Sequence, residues 1–169
     1  TLARANGAVS LHHNLWIHCL SRNPRLGDNY GKPPYPTFDV RNNVIYGYGK
    51  VCTGLTQGRL DVNYVANYIR PGPDSAARNP ISVGLPSDLR FFIRGNVMEG
   101  DDARSADNSR FFSQTQVDGK NVVTIMDEPF NAPPLKTQSA EEALAAVVAS
   151  VGASMPVRDA VDMRLIRDV

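Results

Sequence analysis

The sequence has only two cysteines, no long apolar run and almost no net charge. With Cys19 and Cys52 alone among 169 residues, the chain cannot form a disulfide framework, and two free thiols or a single bridge both fit. No apolar segment approaches the ~20 residues that span a bilayer. The 18 basic residues nearly balance the 17 acidic ones, giving a net charge of +1. The sequence therefore predicts neither a membrane nor a nucleic-acid partner.

Four segments share a pattern of apolar residues around an asparagine. They read VSLHHNLWI, FDVRNNVIY, VNYVANYIR and FFIRGNVME, and their asparagines are Asn14, Asn43, Asn67 and Asn96. The steps between these asparagines are 29, 24 and 29 residues, and Gly- and Pro-rich loops separate the segments. Short strands at such steps, with no helical period between them, favour an all-β solenoid over βαβ units or a β-sandwich. In a parallel β-helix the asparagines would stack at one corner and satisfy backbone groups where the chain bends.

The last third of the chain has helical signals. In QSAEEALAAVVASVGA, Ser139 and Glu142 form a capping-box pattern and Gly152 supplies a stop. A second helix is predicted over residues 159–167 with Asp159 as its cap, and the proline-rich EPFNAPPLKT is predicted to be an extended strap.

Two parts of a single domain follow from this pattern. We expect residues 1–130 to form a partial β-helix, with residues 121–126 as a fifth strand that lacks the asparagine motif. We expect residues 131–169 to form the strap and helices that pack on its side. Because AVSLHHNLW is already a full core repeat, an uncapped first coil would expose its apolar end, and we expect further coils before Thr1.

The segment SRNPRLG places two arginines around a proline. Proline fixes its own φ and pushes the preceding residue towards extended geometry, so Arg22 and Arg25 sit on a stiff, non-helical frame. Local chemistry alone is compatible with a solvated turn, a phosphate clamp or half of an active site.

The surrounding residues resemble polysaccharide lyase family one, the pectate lyases. The resemblance rests on His12-His13-Asn14-Leu15-Trp16, then Arg22-Asn23-Pro24-Arg25, then Arg41-Asn42-Asn43-Val44-Ile45-Tyr46 one coil later. It implies a right-handed parallel β-helix that cleaves 4-linked polygalacturonate by β-elimination. Arg22 would be the acceptor of the C5 proton, with calcium assisting. The resemblance also implies a secreted or periplasmic monomer whose partner is an acidic polysaccharide.

The resemblance has one departure and several substrate-binding candidates. The family often has a further arginine, which contacts the substrate carboxylate, where this chain has Gly27, and we take Arg25 as its substitute. We also assign His13 and Lys32 to substrate binding, and Tyr30 is a candidate for stacking on a sugar ring. Calcium ligands are expected upstream of Thr1, so no residue here is assigned to a metal. Adjacent His12 and His13 should point to opposite faces of one strand, one of them inward.

The chemistry leaves two roles for Arg22 and three functions for the chain. A guanidinium is normally protonated and is then a poor base, so two roles stay open for Arg22: accepting the proton or binding the carboxylate. The alternative to a lyase is a non-catalytic β-helix that binds acidic glycans. A hydrolase ranks last, because it needs paired carboxylates and the motif offers arginines and histidines instead.

Overall fold

A computed structural model describes residues 2–76 and 79–169 and shows three parallel sheets built from successive turns of the chain. Each turn, here called a coil, contributes one strand to each of sheets A, B and C in that order. Coil 1 contains β1 (Leu2–Arg4), β2 (Ala8–His12) and β3 (Leu15–Ile17). Coil 2 contains β4 (Arg25–Gly27), β5 (Thr37–Arg41) and β6 (Val44–Tyr46). Coil 3 contains β7 (Thr53–Leu55), β8 (Gly58–Val65) and β9 (Tyr68–Arg70). Coil 4 contains β10 (Ile81–Val83), β11 (Ser87–Arg94) and β12 (Val97–Met98).

The strands of neighbouring coils pair in parallel and in continuous register. In sheet B, for example, Val9, Phe38, Val62 and Phe91 lie one above another. The later elements are α1 (Asp102–Ala106), a 3₁₀ turn at Asn108–Phe111, the hairpin β13 (Gln116–Val117) and β14 (Lys120–Asn121), and β15 (Val123–Ile125). Strand β15 pairs with β11 and extends sheet B, in line with the predicted fifth strand. These sheets are compatible with the solenoid that the repeat pattern predicts.

The space between the three sheets is filled by inward-facing side chains. Leu26 of sheet A, Val62 of sheet B and Ile69 of sheet C are all fully buried in one continuous core. A buried hydrogen bond within this core joins the Tyr64 hydroxyl to Thr53 Oγ1 at 3.0 Å. Burial holds the pKa of the Tyr64 phenol well above its ordinary value, so the hydroxyl stays neutral.

The two cysteines are free, and their surroundings predict different reactivity. Cys19 is half-buried, whereas Cys52 is fully buried and desolvation raises the pKa of its thiol to about 12. Because the thiolate is the reactive form, iodoacetamide at pH 8 should modify Cys19 and leave Cys52 unmodified in the folded protein. Mass spectrometry should find one adduct before unfolding in guanidinium and two after it. Two adducts on the native protein would contradict the packing around Cys52.

A ladder of asparagine amides runs along the corner between sheets B and C. Nδ2 of Asn14 donates to Oδ1 of Asn43 at 2.9 Å, Asn43 donates to Asn67 at 3.0 Å, and Asn67 donates to Asn96 at 2.8 Å. Each acceptor oxygen in these pairs also accepts the backbone N–H of the preceding asparagine. The predicted stacking of the four asparagines is therefore confirmed, and Asn108 adds a fifth member beyond Asn96.

The C-terminal helices begin where the capping signals place them. Helix α2 (Ala140–Ser150) starts after Ser139 with a complete capping box to Glu142, and α3 (Ala160–Asp168) starts after Asp159. Gly152 follows the end of α2 with a φ of +84°, a conformation that favours glycine and stops the helix. Helix α2 packs against β6 and β9 of sheet C. In the described part of the chain, none of the helices has the length and apolar character needed to cross a membrane.

The segment that leads into α2, here called the strap (residues 128–138), crosses the outer face of sheet B from coil 3 towards coil 1. Phe130 exchanges two hydrogen bonds with the Asn63 side chain, and Gln138 does the same with that of Asn42. Gln138 Oε1 also lies 2.8 Å from His13 Nε2 in coil 1. The strap therefore contacts three successive coils.

Candidate functional site

The Arg22–Arg25 motif forms the turn by which the chain passes from sheet C to sheet A. Arg22 is exposed and has a φ of +71°, in the left-handed region that non-glycine residues rarely adopt. The next residue, Asn23, is buried, donates its N–H to the Cys52 carbonyl at 2.7 Å and accepts the Thr53 hydroxyl at 3.0 Å. The Pro24 carbonyl accepts the Gly54 N–H at 3.0 Å. Backbone bonds to coil 3 therefore hold the motif in place.

Strand alternation puts Arg25 and Gly27 on the outer face of sheet A. Leu26 between them is fully buried, so its neighbours point the other way. Arg25 pairs in register with Gly54 of coil 3, and its Cγ lies 3.8 Å from where a Cβ on Gly54 would stand. Gly27 pairs in register with Arg4 of coil 1. This outer face therefore carries arginines from coils 1 and 2, and each of them pairs in register with a glycine of a neighbouring coil.

A pocket of about 330 Å³ opens at the corner between sheets A and B, next to this face. Arg4, Tyr30 and Gln57 are among the residues that line it. The Arg4 guanidinium lies over the Tyr30 ring, with its carbon 4.2 Å from the ring centroid. Lys32 is exposed in the loop between β4 and β5 that also contains Tyr30, and its backbone N–H donates to the Asn29 carbonyl.

Asp28 forms the buried floor of this corner. Its Oδ2 accepts the N–H groups of Gly31 and Arg59, each at 3.2 Å, and its Oδ1 lies 3.6 Å from Arg4 NH1. The side chain is 2% exposed, so the charge is satisfied from within the protein. The accessible polar and aromatic side chains that line this pocket are those of Arg4, Tyr30 and Gln57, which are cationic, aromatic and amide. Such groups bind anionic, hydroxyl-rich ligands such as uronic acids.

His12 and His13 lie at a different corner from Arg22 and Arg25. His12 ends β2 and is exposed, while His13 follows it in the turn to β3 with a φ of +53°. Their Nδ1 atoms are 3.1 Å apart, and neither ring enters the core. The expectation that the two rings point to opposite faces of one strand is therefore wrong, because the chain leaves the strand at His13. The structure brings Arg22, Arg25 and Lys32 into coil 2 and leaves His13 beside the strap.

Sequence reasoning missed Arg4 and Gln57 as members of this region. Arg4 lies in a three-residue strand with no loop or motif around it, and Gln57 lies in a short turn between β7 and β8. Only the parallel register, which places Arg4 beside Gly27, relates Arg4 to the motif. Tyr30, a stacking candidate by sequence, does lie in the pocket.

The described residues do not fit a calcium site. Within residues 2–76 and 79–169, no group of three or more His, Cys, Asp or Glu side chains is placed to hold a metal ion. Calcium needs six to eight oxygen ligands, and the buried Asp28 and Asp39 carboxylates are each occupied by protein donors.

Comparison with known proteins gives relatives of one kind. The chain is 30% identical over 174 residues to a protein named probable pectate lyase C from Aspergillus flavus, and the match covers 99% of this chain and 38% of that relative. Proteins of the same name from Aspergillus fumigatus and Aspergillus oryzae match equally well, at 30% identity over 176 and 174 residues. No model of a known protein family matches the chain. The relatives confirm the resemblance to pectate lyases, and the chain spans about two fifths of their length.

Proposed function

We propose that this protein is a pectate-type polysaccharide lyase that cleaves 4-linked polygalacturonate by β-elimination. The observation that carries the proposal is the Arg22–Arg25 motif, which is hydrogen-bonded to coil 3 at the start of β4 in sheet A. The relatives of this chain are named probable pectate lyase C. The proposal includes a right-handed parallel β-helix for residues 1–130. Residues 131–169 form its strap and helical cover within the same domain.

In the proposed reaction Arg22, in its neutral form, accepts the C5 proton of the uronate on the reducing side of the glycosidic oxygen and becomes a guanidinium. The C5–H electron pair forms the C4–C5 double bond, the C4–O bond breaks, and its electron pair leaves with the oxygen, which water protonates. Charge builds on the C6 carboxylate as the proton departs, so nearby cations stabilise the transition state. Arg25 and Lys32 supply positive charge within coil 2, and neither requires deprotonation for this task.

Two further parts of the proposal concern His13 and calcium. His13 would contact the polymer at the corner between sheets B and C, where its Nε2 now faces Gln138. Calcium would assist by drawing charge from the carboxylate, although the described residues hold no cluster of ligands for it. The proposed substrate is a large extracellular polymer, so we place the protein outside the cytoplasm, as a secreted or periplasmic monomer.

Elimination produces an unsaturated uronide that absorbs ultraviolet light, and this absorbance tests the proposal. The purified protein is expected to raise the absorbance of a polygalacturonate solution in calcium and to lose at least ~90% of that rate in a chelator, because the proposed metal stabilises the developing charge. Circular dichroism in both buffers controls for unfolding. No product in either buffer, from folded protein, would contradict the lyase.

A second candidate is a non-catalytic β-helix that binds acidic glycans. It is supported by Gly27, which stands where the family often has the arginine that contacts the substrate carboxylate. This candidate predicts binding of polygalacturonate, measured by affinity electrophoresis, without any unsaturated product.

A further inference from the structure

Arg4 occupies the space next to Gly27 that a larger residue at position 27 would need. The two residues pair in register across sheet A, and a Cβ on Gly27 would lie 3.1 Å from Arg4 Cγ and 2.6 Å from Thr56 Oγ1. Both distances are shorter than ordinary carbon contacts. The glycine at position 27 therefore leaves room for both Thr56 and Arg4, and the cation beside position 27 is supplied by coil 1.

The guanidinium of Arg4 is held in a defined orientation. NH1 donates to the Asp28 carbonyl at 2.9 Å and lies 3.6 Å from the Asp28 carboxylate, and the plane is supported by the Tyr30 ring. The side chain is 26% exposed, so it is partly open to solvent. Within the described residues these polar contacts use NH1, which leaves Nε and NH2 for a ligand.

Asp28 contacts NH1 of Arg4 and leaves the other guanidinium nitrogens available to a ligand. The carboxylate is 2% exposed and already accepts two backbone N–H groups. A ligand that enters the pocket therefore meets the cation and not the buried anion. Because a guanidinium presents paired N–H donors in a plane, it suits a carboxylate better than a single hydroxyl.

The remaining lining of the pocket suits a sugar ring. Tyr30 is 76% exposed and offers an aromatic surface, and Gln57 offers an amide that can donate and accept hydrogen bonds. The volume of about 330 Å³ is that of a small-ligand site. A ring that carries both hydroxyls and a carboxylate would use all three residues.

We propose that Arg4, with Tyr30 and Gln57, forms a subsite that binds one uronate residue of the polymer through its carboxylate. The inference rests on the proposed function for the identity of the polymer. It assigns to coil 1 the carboxylate contact that Gly27 cannot make. Arg4 is here a binding residue, and the proton transfer stays with Arg22.

Titration calorimetry with trigalacturonate in a chelator-containing buffer tests the subsite without elimination. Arg4→Gln is expected to weaken binding about 10- to 100-fold, the usual effect of losing a charge-assisted pair of hydrogen bonds. Arg4→Lys keeps the charge and is expected to bind more tightly than Arg4→Gln. The methyl-esterified trimer lacks the charge, so the wild-type protein and Arg4→Gln should bind it equally.

Arg90→Ala is the matched control. Arg90 also pairs with an aspartate, Asp61, and also lies over an aromatic ring, that of Phe130, but it does so on sheet B. Its removal should leave trigalacturonate binding within about two-fold of wild type. Thermal unfolding of each variant shows whether a loss of binding comes from a loss of folding. If folded Arg4→Gln binds trigalacturonate as tightly as wild type, or if wild type does not bind it, the subsite is overturned.

The result separates this inference from the proposed function. A protein that yields unsaturated product while Arg4→Gln binds normally would keep the lyase and refute the subsite. A protein that yields no product, yet loses trigalacturonate binding in Arg4→Gln, would refute the lyase and support the subsite.

Discussion

Arg22→Ala is expected to lower the rate of elimination about 10³-fold, the usual range for removal of a positioned general base. The fold should survive, because the turn is held by the backbone of Asn23 and Pro24 and by the Asn23 carbonyl bonded to Thr53. Alanine adopts the same left-handed φ at no greater strain than arginine does. The measurement is the initial rate of ultraviolet absorbance on polygalacturonate, with circular dichroism to confirm folding.

The kinetic pattern distinguishes the two roles that the chemistry leaves for Arg22. If Arg22 accepts the proton, Arg22→Ala lowers kcat and leaves the affinity for trigalacturonate nearly unchanged. If Arg22 binds the carboxylate, the affinity falls as well. Arg94→Ala removes an exposed arginine at the far end of β11 and serves as the control. A variant at position 22 with full activity would remove Arg22 from the mechanism altogether.

Asn67→Ala is expected to reduce the free energy of unfolding by roughly 3–5 kcal/mol, because it orphans several buried polar groups at once. The Asn67 side chain accepts both the N–H and the Nδ2 of Asn43 and donates to Asn96 and to the Val40 carbonyl. All three asparagines in this stretch are fully buried, so water cannot replace the lost bonds without entering the core. In a domain of this size the melting temperature should fall by about 10 °C or more.

Asn14→Ala provides the matched comparison at the first member of the ladder in the described residues. Asn14 is half-buried, and within the described residues its side chain donates to Asn43 and to the His12 carbonyl, so its removal leaves few groups unsatisfied. We expect a loss below about 1 kcal/mol, measured by the same thermal or urea unfolding. Equal losses at positions 14 and 67 would show that the ladder contributes little beyond local turn geometry.

The asparagine ladder was predictable because it repeats at similar steps along the chain. Asn108 was not, since it lies only 12 residues after Asn96 and comes from a 3₁₀ turn that replaces a further strand. The capping signals of α2 and α3 were equally local and gave the starts of both helices. Local patterns of this kind reveal elements, but they do not reveal which elements touch.

The residues of the candidate site come together through contacts that local sequence patterns do not predict. Arg22 and Arg25 could be found because a motif surrounds them, whereas Arg4 joins them only through the register of β1 and β4, which no short pattern encodes. His13 went to another corner because the chain turns at a left-handed residue immediately after β2. The contact of His13 with Gln138 spans 125 residues, beyond the reach of any spacing argument.

The strap links coil 1 to residues that come much later in the sequence. In a stack whose coils touch only their neighbours, the outermost coil can peel away alone. Here the strap contacts coils 3, 2 and 1 in turn. Coil 1 is therefore also held by Gln138, which lies 125 positions after His13 in the chain. Loss of the contact between Gln138 and His13 would loosen coil 1, which contains both β2 and the strand β1 that carries Arg4. Residues that precede the C-terminal helices therefore contribute to the order of the coil that carries Arg4.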